Sequence, residues 1–152
     1  TLHLFALDTA VSPHTRLLSG DFLMARAMLP GTSEPMARRT YHLLGMEDLF
    51  LDYAGIRDER HPSRQALQKC KAGDCIAIQE SNNHLEVLDS AGVAIARLSK
   101  KARSAWGDRL DAIREARIVA LVRRYRDDVE DKEFQAICHG RSWEVPIVEV
   151  VC

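Results

Sequence analysis

A chain of 152 residues with 46% hydrophobic side chains and a formal net charge of −1 has the size and apolar content of one globular domain. No run approaches the ~18 to 20 apolar residues of a membrane span, and no signal-peptide pattern opens the chain, so a cytoplasmic location without membrane contact is expected. The cysteines, Cys70, Cys75, Cys138 and Cys152, lack the two tight pairs of structural zinc and are expected as reduced thiols, with no metal and no cofactor.

The chain opens at Thr1 in a strand-like stretch, residues 2–7, and reads as a piece of a longer protein. A second strand is predicted over residues 21–28, followed by the loop MLPGTSEP, residues 28–35. Residues 41–50 fit a strand followed by a turn, or a short helix. A polar stretch from Arg57 to His61 then marks a seam, dividing a β-rich segment, residues 1–56, from a second part, residues 57–152, unless the two form one compact domain. Pro62 begins a short helix that Gly73 closes.

Residues 75–79 alternate as a strand, Ser81-Asn82-Asn83 turns the chain into a second strand over 84–88, and Asp89 to Gly92 turns it again into a third over 93–98. Ser99 is placed as a helix N-cap ahead of an apolar stripe formed by Ala102, Ala105, Trp106, Leu110 and Ile113, with Gly107 bending or dividing the helix. Strands are predicted over 117–126, 134–138 and 142–151, with the acidic run Asp127 to Asp131 as a hairpin loop. Pro146 makes the last strand an edge, or bulged at that point. The predicted fold is mainly β with a few short helices, arranged as a small, partly closed barrel.

Reaction chemistry is hard to find. The histidines are scattered, and there is no nucleophile elbow, phosphate-binding glycine loop or dinucleotide fingerprint, so no catalytic residue is predicted. A dispersed hydrolase site would need a cleft joining His84 or His139 to a carboxylate and a nucleophile.

Charge is distributed unevenly. Residues 97–126 hold ten Lys or Arg against three acids, a local charge of +7, and the rest of the chain carries −8. Such asymmetry points to a polyanionic partner. Lys100 and Lys101 stand in the first turn of a helix, where they oppose the macrodipole by about 0.3–1 kcal/mol each, a cost that a bound phosphate removes. Arg97, Ser99, Lys100, Lys101 and Arg103 are therefore predicted to hold DNA phosphates, with Arg123, Arg124 and Arg126 as a second basic strip. Tyr125 lies within that strip as an open aromatic for base stacking, whereas Trp106 and Trp143 read as core.

The stretch KAGDCIAIQESNNHLEVLDSAGVAIARLSKKA, residues 71–102, resembles the HIRAN family of small barrels attached to DNA helicases and translocases. DYAG (52–55), HPSRQALQKCKAGD (61–74), DSAGVAIARLS (89–99) and WEVPIVEVV (143–151) also resemble the C-terminal region of large bacterial RecQ-type helicases. The resemblance implies a HIRAN-like barrel over 57–152 and a nucleoid-associated DNA-binding accessory domain. Its partners would be single-stranded DNA or a duplex end, and helicase domains in the same chain or in another protein. The family's Asn-Pro-x-Asp segment is replaced by Ser81-Asn82-Asn83-His84; Asn82 takes the asparagine position, and the aspartate is missing. The alternative is a protein-interaction module that docks on a helicase core or another subunit through its basic strip and terminal strand.

Overall fold

In the computed structural model, residues 38–152 are described; the strands predicted over 2–7 and 21–28 and the loop over 28–35 lie outside them. The element order is β1 (Tyr41–Leu44), α1 (Pro62–Leu67), β2 (Ala77–Ser81), β3 (His84–Leu88), β4 (Ala94–Arg97), α2 (Lys100–Trp106), β5 (Glu115–Tyr125), α3 (Lys132–Ile137) and β6 (Ser142–Val151). Short 3-10 turns follow β1, α2 and β5.

The strands form two antiparallel three-stranded sheets, β1-β6-β5 and the meander β2-β3-β4. Among the described residues the sheets are not closed into a barrel. They meet at two isolated bridges, Leu49–Leu98 and Cys75–Arg117. Around the first, the Phe50 amide donates to the Arg97 carbonyl and the Ser99 amide to the Asp48 carbonyl, each at 2.8 Å.

Periodicity explains the core. In β3, Leu85 and Val87 are buried on one face, and in β6 Val148 and Val150 are completely buried on the face they share with Leu44 and Ile118. In β4 the neighbours Ile95 and Ala96 are both buried, because α1 and β6 both pack on this strand. The same core takes in Leu44, Leu49 and Ala54, so residues 41–56 share it with the elements that follow Arg57.

The β2–β3 turn has a local cause. Ser81 pairs with His84, leaving Asn82 and Asn83 as a two-residue loop with φ of 48° and 62°. Two successive left-handed residues match the right-handed twist of a hairpin, and asparagine tolerates that region better than other non-glycine residues. Asn82→Val, a β-branched residue in the left-handed region, should lower stability by about 1–2 kcal/mol, measured as a shift in the urea midpoint; an unchanged midpoint would contradict the turn assignment.

Three sequence expectations are corrected. Residues 134–137 are helical rather than extended, because Asp131 Oδ1 caps α3 by accepting from the amides of Glu133 at 2.8 Å and Phe134 at 3.3 Å. The acidic run is accordingly capping chemistry rather than a hairpin loop, and Asp128 accepts from the Tyr125 amide at 2.8 Å. The last strand is the centre of its sheet, not an edge. Pro146 is tolerated there because β1 pairs only with residues 148–151, so no strand among the described residues lies beyond Pro146 on that side. The bulge lies opposite, in β5, where the register shifts between Ile118 and Ala120.

Candidate nucleic-acid interface

The corner singled out by charge is built as expected at its centre. Ser99 is extended, with φ −64° and ψ 162°, and its Oγ accepts from the Ala102 amide at 3.2 Å. Its hydroxyl also donates to the Glu47 carbonyl at 3.2 Å. The hydroxyl proton is thereby used within the fold, and Ser99 orients the corner. Trp106 ends α2 inside the core, with an edge-on contact to His42 at 5.2 Å between centroids and the Arg109 guanidinium over its ring at 4.8 Å.

Pairing takes up much of the basic segment. Glu86 stands directly opposite Arg97 in the β3–β4 register and bonds it at 3.0 Å. In the β5–β6 pair, Glu149 and Glu144 stand opposite Arg117 and Arg123, at 2.6 and 3.0 Å. Arg124 points to the other face and meets Asp52 at 2.9 Å with both side chains largely buried. Arg103 reaches back to the hairpin tip, hydrogen-bonding Asn83 Oδ1 and lying 3.9 Å from Glu80. Opposite charges facing each other across a strand pair contribute locally to the sheet, and each such carboxylate cancels a charge that the linear sequence counts as free.

The remaining predicted residues are spread over the surface. Arg126 Nε donates to the Gln135 carbonyl at 3.0 Å. Tyr125 is exposed, as are Asn82 at the hairpin tip and Lys100 and Lys101 at the start of α2. Neither lysine has a carboxylate at ion-pair distance among the described residues.

Three of the predicted residues, Arg97, Ser99 and Lys100, converge on a groove of about 350 Å³ whose other walls include Phe50, His84 and Phe134. Phe50 reaches it because its amide is bonded to Arg97. Phe134 reaches it because α3 folds back over the end of β5, tied there by the reciprocal bond from Gln135 Nε2 to the Arg126 carbonyl at 3.2 Å. The two rings meet edge to face, 6.1 Å between centroids and 77° between planes. Phe134 keeps 38% of its surface exposed, which makes it an available stacking face.

Below the groove, the Arg97 guanidinium lies 5.3 Å from the centre of the buried Tyr53 ring, and its Nε is buried without a partner. Sequence reasoning missed Phe50 and Phe134, and it weighed His84 only for a dispersed hydrolase site. Phe134 carried a readable signal, the aspartate cap three residues before it; Phe50 and His84 carried none, because only the Leu49–Leu98 bridge and the hairpin register bring them to the corner.

His84 and Ser99 line one groove, yet the committed Ser99 hydroxyl is not poised as a nucleophile. The cysteines are unbridged. Burial, reinforced by Asp89 and Asp74, pushes the Cys70 thiol up, and burial with Asp52 does the same to Cys138. Hydrogen bonding to Glu149 and Glu144 raises the already high pKa of Arg117 and Arg123, respectively. Among the described residues, no three metal-ligating side chains come together, and no helix is long and apolar enough to cross a membrane. No family model, curated protein or solved structure matches the chain.

Proposed function

We propose that the chain is a noncatalytic nucleic-acid-binding module that takes a single strand in the groove at the start of α2. The observation that carries this reading is the convergence of two phenylalanine rings and an exposed histidine with Lys100 and Arg97 in one open groove. Aromatic faces accept bases of any sequence, and adjacent ammonium groups follow the phosphates. In this reading the two bridged sheets correspond to the partly closed barrel of a HIRAN-like domain, and the module serves nucleoid-associated DNA helicase domains in the same chain or in a partner.

The test is fluorescence anisotropy with a short labelled single strand, and with a blunt duplex, at low salt. Saturable binding of the single strand is expected, weakened at least about tenfold by Lys100→Glu with Lys101→Glu, since reversing two charges removes attraction and adds repulsion. Circular dichroism should show the fold intact. Absence of binding, or indifference to the double change, sinks the reading.

A second reading, a protein-docking module, is favoured by one feature. Tyr41 and Leu43 are 57% and 63% exposed on β1, which among the described residues is an edge strand of its sheet. An apolar edge of this kind can accept a partner's strand. The DNA titration separates the two readings, since this edge is not part of the groove.

A further inference from the structure

Arg64 is a charged side chain removed almost wholly from water, with 6% exposure. A guanidinium has five N–H donors in a fixed plane. Nη1 donates to the carbonyls of Arg57 at 3.3 Å and His139 at 2.8 Å, and Nη2 to that of Ser142 at 3.1 Å. These bonds explain the position of Arg64, since they clamp the chain after the 51–56 turn, the loop after α3 and the start of β6. They leave the charge without a direct ion pair: among the described residues no carboxylate lies within ion-pair distance of it, and Glu59, whose Oε1 shares the space beside Gly140 with both Nη atoms, offsets it only at longer range. Among the described residues, Nε and one Nη2 hydrogen have no acceptor.

Arg64 lines a cavity of about 320 Å³, bounded also by Gln68, Arg123, Ser142, Trp143 and Glu144. Glu144 neutralises Arg123 at 3.0 Å, so the surplus charge in the cavity is the single positive charge of Arg64. A buried charge of this kind is costly without a compensating ion. The vacant donors belong to the two nitrogens whose N–H groups can run parallel and match the two oxygens of a carboxylate. A doubly charged phosphate fits less well, because the single surplus positive charge of the cavity balances only one of its two negative charges.

We infer that this cavity binds the carboxylate of a small organic acid, with Arg64 gripping the two oxygens, the Gln68 amide at the mouth and the Trp143 ring as an apolar wall. The volume is at the lower end of small-molecule sites, which limits the ligand to a compact acid. This site is independent of the nucleic-acid groove.

The test uses the intact chain and NMR, following the Arg64 Nε–H and Trp143 indole N–H signals during titration with propionate, benzoate or inorganic phosphate against chloride at constant ionic strength. Saturable shifts of both signals are expected with the carboxylates, with phosphate at least about tenfold weaker. Arg64→Lys keeps the charge, loses the fork and should weaken binding about tenfold. Because that change also loosens the clamp, Gln68→Glu is the deciding variant: it alters the exposed mouth, makes no demand on the clamp, and should weaken carboxylate binding at least about tenfold. Shifts that do not saturate, phosphate binding as tight as the carboxylates, or unchanged carboxylate affinity in Gln68→Glu would each overturn the inference.

Discussion

Trp143→Ala should lower stability by about 3–5 kcal/mol, the usual cost of emptying an aromatic site in a packed core. Trp143 is 4% exposed, and its Nε1 donates to the Leu51 carbonyl at 2.8 Å. The indole fastens the 51–56 segment to the sheet, and Gly55 lies against its flat side. A side chain at 55 would place its Cβ 2.6 Å from both Cε2 and Cζ2 of the indole. Gly55→Ala should therefore cost about 1–3 kcal/mol through overpacking, although the backbone there needs no special freedom.

A double-mutant cycle isolates the contact. In the Trp143→Phe background the outer part of the indole is gone, so the penalty of Gly55→Ala should shrink by about 1 kcal/mol or more in urea melts. Strict additivity would show that something other than the ring excludes a side chain at 55. Because Phe50 immediately precedes the segment that Trp143 fastens, Trp143→Ala should also loosen one wall of the candidate groove.

Local signals in the sequence were sufficient for much of the fold. Asn82-Asn83 between two alternating stretches located a hairpin, Ser99 located a cap, and Gly107 located the point where α2 gives way to a 3-10 turn. The misreading of α3 had a local cause as well. The short, mostly apolar run Phe134 to Cys138 fits a strand as well as a helix, and the competing signal, an aspartate cap, lies in an acidic run that also fits a hairpin loop. The strand order was harder, because β1 and β5 both pair with β6 from far along the chain, and no short pattern fixes which of three strands lies in the middle.

The count of free charge was incomplete for a different reason. A surplus counted along 97–126 ignores partners supplied from outside the window, and Asp52, Glu80, Glu86, Glu144 and Glu149 all come from outside it. Two of those pairs were within reach of the sequence. Glu144 and Glu149 are the acids within an otherwise apolar strand, and an antiparallel partner carrying Arg123 and Arg117 is what would make them tolerable there. Asp52 against Arg124 follows from the tertiary fold alone, and so do the aromatic walls of the groove.

The same pairing sets a number for nucleic-acid binding, and Phe134→Ala gives its largest expected loss. If all ten basic residues of 97–126 met phosphates, the logarithm of affinity for a single strand would fall with the logarithm of salt at a slope of about −7. With Lys100 and Lys101 as the cations free of carboxylates beside the groove, the expected slope is about −1.4. Stacking should then carry much of the affinity. Removing one stacking ring costs about 1–3 kcal/mol, so Phe134→Ala should weaken single-strand binding roughly 5- to 150-fold. Its ring is already 38% exposed, so the folded state should survive the change. Tyr125→Ala provides the comparison: Tyr125 is 53% exposed but does not line the groove, and its loss should change affinity less than about twofold. A slope near −7 would restore the long basic strip as the binding surface. An equal loss from Phe134→Ala and Tyr125→Ala would remove the groove from the account, because the stacking contribution depends on where Phe134, and not Tyr125, is held.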